Sequence, residues 1–233
     1  SLIKDWDSPE VLESLDLCLS CKACSRDCPT GIDVARYRSE VLYRAYKGKV
    51  RPRTHYTLGN LPFLAGAVTK VPFIAAIANF VMGLAPIRTI GFRIAGIDPR
   101  RGMPSFATKR FSRTAEAKAL GTIESNELAA IGRASRSTLV AEDLDAKLAD
   151  KRYVVLWADS FSETLDSRGA RAEIEVLQRA GYTVVVPPQD TCCGLTAIST
   201  GQLDAAKKKL SHLLSVLAPF AASGIPIVGV EPS

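Results

Sequence analysis

The stretch CLSCKACSRDCP, Cys18–Pro29, holds four of the six cysteines of this 233-residue chain within eleven residues. The other two cysteines, Cys192 and Cys193, are neighbours, so no cysteine lies outside these two groups. Scattered cysteines are typical of a secreted disulfide framework, whereas tight groups with short gaps indicate metal binding in a reducing compartment. Because 47% of the residues are apolar, the chain can bury a core without disulfide bonds.

The first group has the spacing Cys-x2-Cys-x2-Cys-x3-Cys-Pro, which is the bacterial ferredoxin run for a [4Fe–4S] cluster. A cubane cluster presents iron corners only a few ångströms apart, and one turning loop with short gaps can reach three of them. Zinc is the alternative, but it usually takes two pairs of ligands separated by a longer loop. We therefore predict a [4Fe–4S] cluster, with its ligands among Cys18, Cys21, Cys24 and Cys28.

The fourth cysteine complicates the ligand set. In proteins with two clusters, the fourth cysteine of such a run ligates the other cluster. Cys18, Cys21 and Cys24 would then need a ligand from a second motif, which this sequence does not contain. We expect three ligands for one cluster, and Cys28 for a centre whose other ligands lie elsewhere. The chain begins without Met and stops just after an apparent strand, so we expect it to be part of a longer protein.

Helix signals flank the cysteine run. The segment DSPEVLESLDL reads as a helix start, with Pro9 in the first turn. In DVARYRSEVLYRAYKG, Asp33 is placed to cap a second helix. The predicted apolar face of this helix contains Val34, Tyr37, Val41, Leu42 and Ala45. We predict an alpha-helical ferredoxin domain over residues 1–57.

Residues 58–150 are predicted to be an apolar helical and basic connecting region that ends in a partly helical linker. No charged residue occurs between Val71 and Ile87, which is about the shortest length that spans a bilayer. Prolines interrupt this run, so we favour a buried or partner-facing helix over contact with a membrane surface, and both over a true span. The basic residues that follow favour a solvated face or a surface beside anionic lipid, since no nucleic-acid fold signature accompanies them. They are Arg88, Arg93, Arg100, Arg101, Lys109, Arg110 and Arg113.

From Lys151 onward, short apolar segments typical of buried strands alternate with helical segments. The segments RYVVLWADS, YTVVVPP and IPIVGVEPS read as strands, and helical segments separate them. This alternation predicts a parallel sheet with right-handed crossovers. The predicted fold class is therefore α + α/β, with an α/β domain over 151–233 that is incomplete at its C-terminus.

The motif TCCG, Thr191–Gly194, follows the second predicted strand. Asp159 follows the first strand and the segment EPS follows the third, so all three are expected at the carboxyl edge of the sheet, where ligands collect. Two small buried residues before a glycine turn are the structural alternative. The topology favours a metal or redox role for Cys192 and Cys193.

Together these segments resemble the C-terminal iron–sulfur part of FAD-linked D-lactate dehydrogenases and glycolate oxidases. LDLCLSCKACSRDCPTGIDVARYRSEVLYRAY resembles their second ferredoxin motif, and GIDPRRGMPSFATKRFSR resembles the segment that follows it. VVLWADSFSETLDSRGARAEIEVLQRAGYTVVVPPQDTCCG and SGIPIVGVEPS resemble the first half of their cysteine-rich CCG domain. Heterodisulfide reductase and anaerobic glycerol-3-phosphate dehydrogenase share that domain.

The resemblance implies that electrons from FAD, bound by an N-terminal domain absent from this chain, pass through iron–sulfur centres to a quinone or protein acceptor. The implied partners are a flavin domain, on the same chain or on a partner subunit, and an anionic membrane surface; nucleic acid is not among them. Asp159 stands where some relatives have a cysteine, so only Cys192 and Cys193 are carried over as metal ligands. The alternative is a stand-alone iron–sulfur adaptor, or a subunit of a complex like heterodisulfide reductase or glycerol-3-phosphate dehydrogenase.

The sequence offers no convincing catalytic residue. His55 and His212 are isolated, so whether this part of the protein is itself an enzyme stays open. No secretory signal is visible, and we expect a cytoplasmic location, with peripheral attachment to the inner face of the cell membrane as an option. The formal net charge of +6 permits contact with anionic partners without selecting one.

Overall fold

The computed structural model describes residues 8–102, 104–121, 152–187 and 191–230. These residues form two compact units, each assembled from separated stretches of the chain. The first unit contains 8–64, 84–102 and 193–210, and the second contains 65–83, 104–192 and 211–230, within the described ranges. Most of the predicted linker, 122–150, and the segment Glu231–Ser233 lie outside the described residues.

Helices dominate both units. In chain order they are α1 Pro9–Asp16, α2 Ala23–Asp27, α3 Val34–Ala45, α4 Arg53–Thr57, α5 Leu61–Val68, α6 Pro72–Gly83, α7 Ala85–Ala95, α8 Ala115–Ala119, α9 Ser160–Thr164, α10 Arg168–Arg179, α11 Leu195–Ser199 and α12 Leu203–Ala222. The strands are β1 Arg152–Trp157, β2 Tyr182–Val185 and β3 Ile227–Gly229. The α + α/β class expected from the sequence is confirmed at this level.

The helices around the cysteine run begin where their capping signals predict. Pro9 occupies the first turn of α1, and the Asp33 carboxylate accepts the backbone N–H of Arg36 at the start of α3. The predicted apolar face of α3 is wrong in one position, because Tyr37 is exposed. The residues that α3 buries are small or medium-sized: Ala35, Ser39, Val41 and Ala45. Ser39 satisfies its buried hydroxyl by donating to the Ala35 carbonyl, which allows a polar residue on this face.

The basic segment after α7 is bonded to the end of α5 and to the turn that follows it, within the second unit. Arg110 donates to the Gly66 carbonyl and to the Thr69 hydroxyl, and Arg113 donates to the Lys70 carbonyl. These bonds satisfy carbonyls that the end of α5 leaves without helical partners. The expectation of a wholly solvated basic face is therefore wrong at Arg110, which is drawn in by this capping role.

Among the described residues, no single helix is long and apolar enough to cross a bilayer. Helices α5 and α6 together are long and apolar enough to cross a bilayer, but the chain bends by 117° at the break between them.

A three-stranded parallel sheet forms the core of the second unit. The strand order is β2-β1-β3, and Val154 pairs with Val184 while Val155 pairs with Ile227. Side chains alternate between the faces of the sheet. Val154 and Leu156 pack with α10, and Val155 packs with Phe220 of α12. The predicted parallel sheet is confirmed, while α9 and α11 are short helices that the sequence pattern did not reveal.

Candidate functional site

The four cysteines of the first group occupy successive bends of the chain between α1 and α3. Cys18 follows the end of α1 and donates its backbone N–H to the Leu15 carbonyl. Cys21 is exposed in the loop, Cys24 lies in α2, and Cys28 ends α2 with its N–H bonded to the Cys24 carbonyl at 3.0 Å. The short helix α2 therefore sets the backbone spacing of the last two cysteines.

Two residues in left-handed conformation turn the loop around Cys21. Ser20 has φ of 57° and Lys22 has φ of 62°, and they are the only non-glycine residues with positive φ in the described part of the chain. Such a conformation costs a non-glycine residue about 1–2 kcal/mol and persists where the local structure requires it. Alternation between left-handed and right-handed residues points successive N–H groups inward and forms an anion-binding concavity, a feature of many iron–sulfur sites.

Backbone N–H groups point at two of the sulfurs. Ser20 donates to the Cys18 sulfur at 3.4 Å, and Val34 donates to the Cys24 sulfur at 3.3 Å. Because thiolates and cluster sulfides carry negative charge, N–H donors around them favour the charged state and tune its reduction potential. The start of α3 therefore contributes a donor to the loop that precedes it.

Cys28 lies in a separate hydrogen-bonding environment. The Thr30 hydroxyl is 3.0 Å from its sulfur. This hydroxyl and the backbone N–H groups of Ile32, Thr30 and Gly31 lower the pKa of the Cys28 thiol to about 7. The thiolate is the form that binds metal, so Cys28 is chemically prepared to act as a ligand.

An ion pair links the cysteine loop to the start of α3. The Lys22 ammonium contacts the Asp33 carboxylate at 2.6 Å, and this contact, together with the N–H of Arg36, lowers the pKa of Asp33. Lys22 therefore combines a strained backbone conformation with a link to the cap of α3.

The chemistry of this donor set fits an iron–sulfur cluster: four thiols at ferredoxin spacing, two N–H···S bonds and two left-handed residues in the loop. Within the described ranges, no group of three or more His, Cys, Asp or Glu side chains is gathered closely enough to hold a metal ion. We therefore assign no coordination geometry to these sulfurs. The fit rests on residue type, spacing and backbone conformation.

The second cysteine group follows a buried contact at the carboxyl end of β1. The Trp157 indole N–H donates to the hydroxyl of Thr191 at 2.8 Å, and Thr191 is buried. Cys192 and Cys193 follow, both partly buried, and Gly194 in left-handed conformation starts α11. Thr191, the first residue of the motif, is therefore bonded to the end of β1, and a ligand role for the two thiols stays a prediction.

Asp159 acts as a helix cap. Its carboxylate is buried and accepts the N–H of Phe161 at 2.6 Å, the N–H of Ser162 at 3.2 Å and the Ser162 hydroxyl at 2.9 Å. These three bonds occupy both carboxylate oxygens. Asp159 thus accounts for the short helix α9, and its role is to position the chain after β1.

Two arginines in the first unit connect the region around the first cysteine motif to the segment after the second, and no sequence pattern predicted this role. Arg38 of α3 donates to the Ser199 carbonyl at 2.7 Å. Arg51 donates to the carbonyls of Thr200 and Gly201, at 2.9 Å each. Both guanidinium groups thus bind the chain where α11 ends, and α11 directly follows the CCG motif.

Gly201 allows α3 to lie close to the end of α11. Gly201 has φ of 64°, and a Cβ at this position would lie 2.5 Å from the Cβ of Leu42 on α3. Any side chain would therefore force α3 away from the end of α11. The left-handed glycine is the one signal in the sequence that marks a helix end here, but it does not indicate which helix packs against it.

His55 is buried beside this contact, with Nδ1 lacking a hydrogen-bond partner in the described residues. Burial, and then the charge of Arg51, lower its pKa below 6.5, so it is held neutral. Its ring packs edge-on against Tyr46. His55 is therefore a packing residue within the first unit.

Comparison with known proteins gives relatives along nearly the whole chain. The chain is 25% identical over 228 residues to D-2-hydroxyglutarate dehydrogenase of Pseudomonas putida, and 25% identical over 228 residues to the protein of the same name from Haemophilus influenzae. In each case 97% of this chain matches, but only 20% of the relative. The chain is thus similar to one segment of proteins about five times as long.

A second kind of relative matches a shorter part of the chain. Over 61 residues, the chain is 30% identical to lactate utilization protein A of Bacillus thuringiensis, and the match covers 26% of each protein. No family model matches the chain, and no solved structure matches it significantly. At this coarse level, the predicted relationship to a part of 2-hydroxyacid dehydrogenases is confirmed.

Proposed function

We propose that this chain is the electron-transfer part of a flavin-dependent 2-hydroxyacid dehydrogenase, in which electrons pass from FAD through iron–sulfur centres to a quinone or protein acceptor. The observation that carries the proposal is the cysteine loop, with its ferredoxin spacing, left-handed residues and N–H···S bonds. Similarity over 97% of the chain to proteins named D-2-hydroxyglutarate dehydrogenase gives this loop its context.

In this proposal, Cys18, Cys21 and Cys24 hold one [4Fe–4S] cluster, and Cys28 serves a second centre. A bound cluster supplies a site that takes up and releases one electron at a time, which lets a two-electron flavin discharge to a one-electron acceptor. The N–H groups of Ser20 and Val34 stabilise the negative charge at the sulfurs. Arg38 and Arg51 fix the region that follows the second cysteine pair.

The substrate class follows from the relatives and from the motif resemblance. The motifs resemble D-lactate dehydrogenases and glycolate oxidases, while relatives that match 97% of this chain carry the name D-2-hydroxyglutarate dehydrogenase. All of these substrates are 2-hydroxy acids. We therefore propose a D-2-hydroxy acid as the electron source and leave its side chain open.

A second candidate is a separate iron–sulfur subunit that receives electrons from a flavoprotein. The match to lactate utilization protein A supports it, because 61 residues are 26% of that relative, which is therefore much shorter than the proteins named D-2-hydroxyglutarate dehydrogenase. Flavin content separates the two candidates. A flavin that copurifies on the same polypeptide supports the first, and its absence supports the second.

The test uses the complete product of the gene, purified without oxygen, with D-2-hydroxyglutarate and D-lactate as electron donors. Two acceptors are compared: a dye that takes electrons directly from flavin, and a water-soluble quinone. The Cys24→Ser variant is expected to retain dye reduction and to lose quinone reduction. A Cys24→Ser variant that reduces the quinone at the wild-type rate would refute the proposed relay.

A further inference from the structure

Arg38, on α3, uses all three nitrogens of its guanidinium group. Nε donates to the Leu15 carbonyl at 3.1 Å, Nη1 donates to the Ser199 carbonyl at 2.7 Å, and Nη2 lies 3.5 Å from the Asp16 carboxylate. The Arg38 side chain is only 18% exposed, whereas that of Asp16 is 83% exposed. A planar group with several donors at fixed angles is particular to arginine. Arg38 therefore places a partly buried positive charge in a fixed orientation.

The two carbonyls that Arg38 binds lie at the ends of two helices in the first unit. Leu15 is in the last turn of α1, and Ser199 is the last residue of α11. Carbonyls at a helix C-terminus lack partners inside the helix and carry partial negative charge, so a guanidinium group stabilises them. Arg38 therefore joins two helix ends that are far apart in the sequence.

The Leu15 carbonyl also holds the first cysteine of the loop. It accepts the backbone N–H of Cys18 at 3.1 Å, and it accepts Nε of Arg38 at the same distance. One oxygen atom thus binds both the backbone of Cys18 and the charged group of Arg38. The positive charge of Arg38 consequently lies beside the start of the cysteine loop.

We propose that Arg38 is a positioning residue that fixes Cys18 and raises the reduction potential of a cluster held in the cysteine loop. The inference rests on the proposed function, because it concerns the same loop. Uptake of one electron, which flavin supplies in the proposed relay, makes the loaded loop more negative by one charge. A fixed positive charge nearby favours that state, and low exposure to solvent limits its screening.

The bond to α11 keeps this charge against α1. With Nη1 bonded to the Ser199 carbonyl, the guanidinium group is held between the two helix ends instead of turning out to the exposed Asp16. The close approach at Gly201, where a Cβ would meet Leu42 of α3, brings the end of α11 within reach. The segment that follows the second cysteine pair therefore supports the first cysteine loop through Arg38.

The test measures the reduction potential of the cluster in the 233-residue chain after anaerobic reconstitution with a small thiol present. The chain is titrated with dithionite, and the reduced cluster is followed by electron paramagnetic resonance. Arg38→Gln removes the charge, so the ratio of reduced to oxidised cluster at a fixed solution potential should fall about tenfold, which is about 59 mV for one electron. Arg38→Lys keeps the charge and should retain most of the wild-type potential.

Hydrogen exchange in the cluster-free chain tests the contacts separately from the charge. Arg38→Gln and Arg38→Lys should both exchange the backbone amides at the end of α1 and in Cys18 severalfold faster than the wild type. Neither side chain presents two donors at the spacing of a guanidinium group. Lysine is therefore expected to restore the potential without restoring this protection, which a purely structural role would not produce. Circular dichroism checks that each variant is folded.

Arg51→Gln is the matched control, because Arg51 binds the next two carbonyls, those of Thr200 and Gly201. Within the described ranges Arg51 makes no bond to α1, so its loss should loosen the end of α11 and shift the potential much less than Arg38→Gln does. Equal potentials in the wild type and Arg38→Gln, or equal falls in Arg38→Gln and Arg51→Gln, would overturn this role and leave the proposed cluster intact. A wild-type chain that takes up no cluster would overturn the proposed function, and this role with it.

Discussion

Replacing Asp159 by alanine tests whether this residue is a structural cap at the edge of the sheet. The change removes an N-cap, worth about 1 kcal/mol, and the acceptor for the buried Ser162 hydroxyl, worth about 1 kcal/mol more. The buried N–H groups of Phe161 and Ser162 then lack a partner, which adds to the cost. We expect the free energy of unfolding to fall by about 2–4 kcal/mol in total.

Asp166→Ala is the matched control. Asp166 also accepts the backbone N–H two residues ahead, at 2.9 Å from Arg168, but the pair is exposed to solvent. Its loss should lower the free energy of unfolding only slightly, because solvent screens an exposed ion pair. Asp159→Asn should recover most of the lost stability, because asparagine caps helices as well as aspartate does.

The assay is urea denaturation followed by the fluorescence of Trp157, in a Trp6→Phe background so that one tryptophan reports. With a urea dependence of about 2 kcal/mol per molar, Asp159→Ala should lower the midpoint by about 1–2 M. If Asp159→Ala and Asp166→Ala shift the midpoint equally, the structural role assigned to Asp159 is wrong.

Two further predictions concern the first unit. Gly201→Ala should lower the free energy of unfolding by about 2 kcal/mol or more, because its Cβ would clash with Leu42. Gly181→Ala is the control: Gly181 also has a positive φ, but a Cβ there would meet nothing within 4 Å, so the free energy of unfolding should fall by about 1 kcal/mol. Equal urea midpoints for the two variants would contradict this packing.

The pKa of His55 is lowered by burial in the folded chain, so the unfolded chain takes up the proton first, and stability should fall as pH drops through about 6.5. His55→Leu should flatten this dependence in pH-dependent thermal melts and His212→Gln should not; an unchanged profile in His55→Leu would contradict it.

Local rules predicted much of the fold. Helix caps such as Asp33 and Pro9 depend on a few neighbouring residues, so the capping rules identify them. The strands of the α/β part are likewise visible in the local pattern of apolar residues. Helices α9 and α11 were missed because each is only five residues long, too short to show a helical period. The Asp159 carboxylate that starts α9 looks like any acidic residue after a strand.

The sequence located the cysteine loop but not the residues that support it, and the ligand roles of the cysteines stay predictions. Cysteine spacing marks Cys18, Cys21, Cys24 and Cys28, whereas Ser20 and Lys22 have no sequence preference for the left-handed conformation that they adopt. The bond between Arg38 and Ser199 joins residues 161 positions apart, and no local pattern signals such a pair. The apolar sequence of α6 predicted a buried or partner-facing helix without deciding between the two, so it could not indicate that Phe73 and Phe80 are exposed.

We would test the proposed cluster most directly by measuring the iron and sulfide content of the chain after anaerobic reconstitution, with a small thiol present that can supply the missing fourth ligand. We expect about four irons and four sulfides per wild-type chain under these conditions, and little cluster in an aerobic preparation without added thiol. Cys24→Ser should abolish the cluster, while Cys28→Ser should leave it largely in place. Equal loss in both variants would mean that Cys28 closes the cluster, and a wild-type chain that takes up no iron would contradict the claim itself.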